Sequence, residues 1–501
     1  MRCLTLAEAA RAAGHEVRFV MADGDGAVTG PVEGAGIPLT LLPPEATAPH
    51  PDDPPHAHWL SLPWARDAEL TTRAAQGFAP DWLVLDHYGL DARWVRAVRA
   101  ALPDLRVLAI DDLDDRDLGA DLLLDLTRMT DAPYRHPPIA ALKGPAYALL
   151  RPEFAAHRAE ALARRGGPVR HVLVAPGMMD AAGLAPMALS LLADQFPDLS
   201  AEVVMGAQSQ SRAEVEALVA THPQFSLTLD ARDMAARLTR ADLCIGAGGM
   251  TSWERCCLGL PTLTVAVAEN QIPGVRQLAD KGAIIALTLE EARDPTQLAQ
   301  ALSAAMIDAP RLSETARTIC AGDGAAKVVA ALSGAFRPLS ESDARLIFDW
   351  RNQPHIRAAS LNTAPLVWED HLNWVALTAA RGDGEWLIYS EAGRPLGFAG
   401  ATIREDGSAH WSFYIGAADA PKGAGGRMMA AFLRRLAMRA DVQKITAEVL
   451  EGNAASIRLH QRLGFRQVPH DGLGGVLAFA VDAWDVRARL ALPAPEERTV
   501  Q

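Results

Sequence analysis

Residues 241–271 read "ADLCIGAGGMTSWERCCLGLPTLTVAVAENQ". Leu243 to Ile245 is a short apolar, β-prone run. A glycine-rich turn follows, Thr251 or Ser252 can cap a helix carrying Glu254, and Leu263 to Val267 is a second apolar run. Strand, turn, helix and strand in that order are the repeating unit of a parallel α/β sheet. A glycine turn between strand and helix presents backbone N–H groups to an anion with no side chain in the way. The stretch predicts a diphosphate held by Gly248, Gly249, Thr251 and Ser252. Glu254 is placed to accept from ribose hydroxyls, and Asn270 and Gln271, after the next strand, to donate to phosphate or sugar oxygens. An ordinary tight connection also contains glycines, and it is the coincidence of turn, hydroxyl pair, Glu and Asn-Gln that favours a nucleotide.

The same alternation extends in both directions. Trp82 to Leu85, Val107 to Ile110, His171 to Ala175 and Glu202 to Met205 read as strands separated by helical patterns, giving two parallel α/β domains, 1–155 and 165–333. The Pro-rich stretch from Pro43 to Pro63 reads as a surface excursion, and "RPEFAAHRAEALARRGGPVR" as an interdomain helix and linker. The chain itself opens on a helix, "MRCLTLAEAARAAG", stopped by Gly14 and followed by a strand from Glu16 to Val20. After residue 335 the pattern changes, and a third domain is expected over 336–485, with a disordered tail over 486–501.

Composition narrows the partners. The 501 residues carry 48 basic and 61 acidic side chains, a net charge of -13, which opposes binding to nucleic acid or anionic membranes and favours small molecules. The five cysteines have no C-x-x-C spacing, so no metal site or disulfide framework is expected and a reducing cytoplasm fits. No apolar run reaches the ~18 residues of a membrane span.

In the third domain, "YIGAADAPKGAGGRMMAAFLRRLAMRA" takes a strand ending near Ile415 through Lys422, Gly423, Gly425, Gly426 and Arg427 into an amphipathic helix. That loop suits a pyrophosphate, with Lys422 and Arg427 adding charge. "KITAEVLEGNAASIRLHQRLGF" then gives a strand, a turn at Asn453 and a helix. The order resembles the GNAT acetyltransferases, which implies acetyl-CoA as cosubstrate in a V-shaped gap of the sheet and no metal. The resemblance implies that Asn453 and Ser456 orient the turn and the pantetheine. It also implies that His460 stands where family members carry the acid that protonates departing CoA; otherwise it packs on Phe465. Glu448 is a further candidate, for accepting the amine proton through water. "FRPLSESDARLIFDWRNQPHIR" and "HLNW" resemble acetyltransferases acting on a UDP-linked 4-amino sugar.

Across the first 330 residues, "LVLDHYGLDARW", "AIDDLDDRDLGADLLLD", "GPAYALLRPEF" and the opening quotation resemble the UDP-2,4-diacetamido-2,4,6-trideoxy-beta-L-altropyranose hydrolases of pseudaminic acid biosynthesis. This implies a GT-B-like pair of Rossmann-type domains, followed here by the GNAT α/β domain, and attack of water at the anomeric carbon to release UDP and free sugar. The family's principal histidine lies in a Gly-x-Gly-His loop just before the Met-Arg-Cys-Leu helix, so the expectation is that the true start lies upstream and that the 501 residues hydrolyse little. Asp86, His87 and Tyr88 follow a strand, with Asp86 and His87 as catalytic candidates and Tyr88 facing substrate; the alternative is that Asp86 caps the next helix and His87 packs on it. In "VAPGMMDAAG" the family pattern is Gly-Gly-Ser-Asp, and Asp180 is its best match. The alternatives are a GT-B glycosyltransferase, or a noncatalytic nucleotide-sugar-binding domain, fused to the acetyltransferase.

Overall fold

The structure, a computed structural model, describes residues 1–24, 26–46, 50–391, 394–469, 474–490 and 492. By its contacts the chain divides into two units rather than along the three expected domains: 1–9, 126–130 and 143–327 in one, and 10–125, 131–142 and 328–501 in the other.

The first unit is built on a six-stranded, wholly parallel sheet, in the order Ile285–Thr288, Thr262–Ala266, Leu243–Ala247, His171–Ala175, Ser200–Met205, Phe225–Leu229. Numbered along the chain this is 3-2-1-4-5-6 read from the far edge, the doubly wound arrangement. Its central strands are apolar on both faces because helices cover both: Val172, Leu173, Val174, Leu243, Cys244 and Ile245 are all fully buried. The order reverses between His171–Ala175 and Leu243–Ala247, and the crevice beyond their carboxyl ends is where such sheets receive ligands. The loops there are 176–180 and 248–250. The helix Pro152–Arg164, expected as a linker, packs into this unit through Phe154 and Ala161.

The second unit holds the remaining sheets. Phe19–Ala22 pairs with Leu39–Leu42 in parallel, starting three residues later than the strand expected from Glu16. Trp82–Leu85, Arg106–Ile110 and Leu122–Asp125 form a parallel trio beside Ala141–Lys143. A seven-stranded sheet follows, in the order Ala335–Pro338, Gly384–Glu391, Arg394–Ile403, Ser408–Ile415, Lys444–Leu450, Val476–Asp482, Arg466–Val468. It is antiparallel except where Ser408–Ile415 meets Lys444–Leu450. The helix Ala424–Ala437 lays Met428, Met429, Phe432, Leu433 and Leu436 on this sheet, an i, i+4, i+8 face, while Arg434 and Arg435 stay polar.

The two parts of this unit are joined by hydrogen bonds between residues far apart in sequence. Trp82 Nε1–H donates to the Leu332 carbonyl at 2.8 Å, and Arg106 to the Gly334 carbonyl at 3.1 Å. Arg434 reaches the carbonyls of Pro103 and Leu105 and pairs with Asp121 at 3.1 Å. Fully buried Arg99 binds Asp121 and the Leu490 carbonyl. These bonds explain why residues 10–125 group with the C-terminal sheet. The helix Ala483–Arg489 carries that fold past the expected boundary at 485, so 486–490 are not tail; 493–501 lie outside the described residues.

Candidate functional site

At the switch point of the first unit, Gly248 and Gly249, just beyond the strand Leu243–Ala247, form the expected turn. A Cβ on Gly248 would come within 2.7 Å of Val275 and 3.1 Å of Gln271 Oε1, and Gly249 has φ +111, so both positions need glycine. The helix runs Thr251–Cys257 with Met250 at its N-cap and no side-chain cap, which corrects the expectation that Thr251 or Ser252 caps it. Ser252 is instead buried against Arg255, which is 2% exposed, while Thr251 stays exposed at the edge of the same arginine. Its Nη2 donates to the Ala247 carbonyl at 2.8 Å and to Ser252 Oγ at 3.0 Å, and Nη1 reaches Thr251 Oγ1 at 3.5 Å. Sequence reading missed Arg255. The signal was there, since a helical arginine three and four residues after Ser252 and Thr251 lies over them.

Glu254 is half-buried on the same helix. Burial, opposed by Arg151 and Arg255, pushes its carboxyl up to about 6. Gln271 closes on the glycine turn but spends its Oε1 on the Val267 N–H at 3.1 Å, leaving its amide nitrogen for other oxygens; Asn270 is exposed beside it. In the neighbouring loop, Asp180 (φ +39) is buried, with its oxygens taken by the Leu184 and Ala185 N–H groups at 2.8 and 3.1 Å and by the Ser211 hydroxyl. It shapes the loop and starts the helix Leu184–Gln195. Met178 and Met179 are 62% and 49% exposed, with their carbonyls tied to Gly206 and to Gln210 and Ser209.

In the second unit, Asp86, His87 and Tyr88 lie beyond Trp82–Leu85 as expected. Asp86 does not cap the next helix: Asp91 does, accepting from Arg93 N–H at 2.8 Å. The Gly89 N–H donates to His87 Nδ1 at 3.0 Å, so that nitrogen is engaged as an acceptor within the protein. Burial holds His87 below its ordinary value against the pull of Asp67 and Asp86. Tyr88 donates to Asp112 at 2.7 Å.

On the seven-stranded sheet, the glycine loop again has a buried arginine beneath it. Gly423, φ +85, stands at the N-cap of Ala424–Ala437, with exposed Lys422 before it and half-buried Gly425 and Gly426 after it. The expected contribution of Arg427 to the charge of this loop is corrected. The residue is 6% exposed and forms a bidentate pair with Glu391 at 2.7 and 2.8 Å, while Nη1 holds the Lys422 carbonyl at 3.1 Å. Asn453 caps Ala454–Arg462, accepting from Ser456 N–H at 3.1 Å.

The reading of His460 as an acid is also corrected. At 1% exposure it sits among Trp411, Phe413, Phe465 and Phe479. Trp411 Nε1–H can only donate, so His460 Nε2 accepts at 3.1 Å, and the proton on Nδ1 goes to the Ser456 carbonyl at 2.8 Å. Burial lowers its basicity further, and the one proton of the ring is held by the Ser456 carbonyl rather than turned toward a leaving group.

Ser408–Ile415 and Lys444–Leu450 pair only over Ser408↔Lys444, Ala409↔Ile445 and His410↔Thr446. Beyond that point each strand stays paired on its outer side, to Arg394–Ile403 and Val476–Asp482, while the edges facing each other have no cross-strand partner. Two such edges inside one sheet make a slot for an extended group that carries amides of its own. Glu448 lies on this slot's strand and is exposed, and His410, which sequence reading passed over, stands at its closed end. Among the described residues there is no group of three or more His, Cys, Asp or Glu that could hold a metal, and no helix is long and apolar enough to cross a membrane.

Comparison with known proteins fits both halves. The glycosyltransferase family 28 C-terminal domain matches residues 184–331, and the acetyltransferase (GNAT) domain matches residues 335–466. The spore coat polysaccharide biosynthesis protein SpsG of Bacillus subtilis is 27% identical over 286 residues, 55% of this chain and 83% of its own. An uncharacterized protein of Methanocaldococcus jannaschii is 24% identical over 362 residues, 65% of this chain and 68% of its own. Among solved structures, the aminoglycoside acetyltransferase AAC(6')-Ib with coenzyme A is 19% identical, covering 30% of this chain and 98% of its own, at a TM-score of 0.28. The chain thus joins an SpsG-like glycosyltransferase family 28 C-terminal domain to a C-terminal GNAT acetyltransferase domain.

Proposed function

We propose that the protein acts on a UDP-linked amino sugar, with the C-terminal domain transferring acetyl from acetyl-CoA to its 4-amino group. The observation that carries this reading is the slot between Ser408–Ile415 and Lys444–Leu450, opening toward the Gly423–Gly426 loop. A pantetheine arm, extended and bearing two amides, suits unpaired strand edges, and the successive N–H groups of Gly425 and Gly426 suit its pyrophosphate. The nucleotide belongs at Gly248, Gly249 and Arg255, with Glu254 on the ribose and Asn270 or Gln271 on phosphate or sugar oxygens. In this reading the SpsG-like part hydrolyses the diacetamido product to UDP and free sugar, two consecutive steps toward pseudaminic acid, in the cytoplasm.

A second reading of that part, binding without hydrolysis, is favoured by one observation: His87 is partly buried and its Nδ1 is taken by the Gly89 N–H within the protein. Incubating the full chain with acetyl-CoA and a UDP-4-amino-trideoxy sugar tests both. CoA thiol release together with one added acetyl mass on the sugar supports the transfer, and free UDP accumulating afterwards supports hydrolysis. Acetylated UDP-sugar that persists would leave binding as the role of the first part, and no thiol release would remove the transferase reading.

A further inference from the structure

His410 stands at the last paired position of Ser408–Ile415, directly opposite Thr446, with its Nδ1 3.3 Å from Thr446 Oγ1. Alternation along the strands places Glu448 on the same face as Thr446. Trp411 turns to the other face, against Phe432, His460 and Phe465 on the helical layer that begins at the glycine loop. Tyr414, on the His410 face, stacks on Phe398, which packs with Ile347, Trp350 and Val375 of the helices Ala344–Arg351 and Trp368–Ala380. The closed end of the slot therefore has the glycine loop's helix on one side and His410 on the other. A thioester threaded from the loop ends beside His410, on the face from which an amine can approach.

We propose that His410 is the catalytic base of acetyl transfer, held in orientation by Thr446 with Glu448 beside it. This rests on the transferase reading above and names the group that serves it. The neutral amine of the sugar forms the C–N bond to the thioester carbonyl. The C–S bond breaks with its electron pair left on sulfur. The proton that nitrogen must lose passes to the free nitrogen of His410 and on to solvent, and the CoA thiolate takes up a proton from solvent. The charged and polar groups around His410 suit a base: Glu448 favours its protonated form, Arg404 disfavours it, Thr446 and the paired Thr402 are neutral, and burial holds it below the ordinary histidine value. It is thus ready to accept a proton at neutral pH.

The test uses the full chain, acetyl-CoA and the UDP-4-amino sugar. His410→Gln is expected to lower kcat/KM by about 10²–10⁴-fold, the usual yield of general-base catalysis, with the calorimetric Kd for acetyl-CoA unchanged as proof of folding. The rise of wild-type rate with pH on the acid side should disappear in the variant, and added imidazole should restore turnover to His410→Ala. Thr446→Val, which removes only the orienting hydroxyl, should fall between wild type and His410→Gln in kcat. Wild-type turnover in His410→Gln overturns the assignment and leaves the transferase reading standing. Absence of turnover in the wild type removes both.

Discussion

Two glycine turns, one at Gly248–Gly249 and one at Lys422–Gly426, are each floored by a buried arginine, and the two arginines differ in what meets their charge. Arg427 is matched by the Glu391 carboxylate in a bidentate pair that Tyr389 also joins at 2.9 Å. Arg255 donates to the neutral oxygens of Ala247, Ser252 and Thr251 and forms no ion pair among the described residues, the neighbouring Glu254 feeling its charge only at longer range. A buried pair cancels its own field and serves to fix the loop above it, whereas a cation facing only dipoles keeps a field that an anion can use. The loop on the seven-stranded sheet accordingly depends on backbone N–H groups and Lys422. The turn on the parallel sheet carries a built-in positive charge beneath it.

The sharpest way to break this comparison is to remove each arginine in turn. Arg427→Met leaves Glu391 buried without its partner and should cost ~3–5 kcal/mol in denaturant unfolding, part of it recovered by adding Glu391→Gln. An unchanged unfolding midpoint would mean that the pair is not structural. Arg255→Met should act on ligand instead. UDP binding, measured by calorimetry, should weaken by about 1.5–3 kcal/mol, the scale of hydrogen bonding to a charged group, while uridine binding, which has no diphosphate, stays as it was. Equal losses for UDP and uridine would put the charge of Arg255 elsewhere.

A smaller effect is expected at Glu254. Its carboxyl is raised to about 6, so it is ionised above that pH and protonated below it, and the ionised form is the stronger acceptor for ribose hydroxyls. UDP affinity should therefore decline as pH falls through about 6, and Glu254→Gln should flatten the profile and cost roughly 0.5–1.5 kcal/mol at neutral pH. A pH-independent wild type would remove Glu254 from the ribose. Least affected of all should be turnover in His460→Phe. The orphaned Trp411 indole lowers stability by about 1–3 kcal/mol, yet acetyl transfer per folded molecule should persist, because the ring proton of His460 is committed to the Ser456 carbonyl. Loss of turnover at full acetyl-CoA binding would return the acid role to His460.

Much of the fold was legible from local pattern. Trp82–Leu85 and His171–Ala175 fall where apolar runs placed them, and the helix Arg2–Ala12 ends before Gly14, whose φ is +90. The cap at Asn453 was readable because its partner, Ser456, is three residues away. Whether Asp86 caps the next helix was not legible, because Asp91 competes for the same position and only the backbone geometry distinguishes them.

The sequence by itself determined where strands, glycine turns and amphipathic helices lie, because those depend on each residue's relation to near neighbours along the chain. The chemistry of the side chains was decided by tertiary structure. Trp411, which quenches His460, is 49 residues away from it, and Glu391, which neutralises Arg427, is 36 residues away. Thr446, which positions His410, is also 36 residues distant, and the point at which their strands part follows from the pairing of both with outer neighbours. Proton affinity and free charge depend on what lies within a few ångströms, and in a buried site that is set by packing between elements rather than by the spacing of residues in one of them.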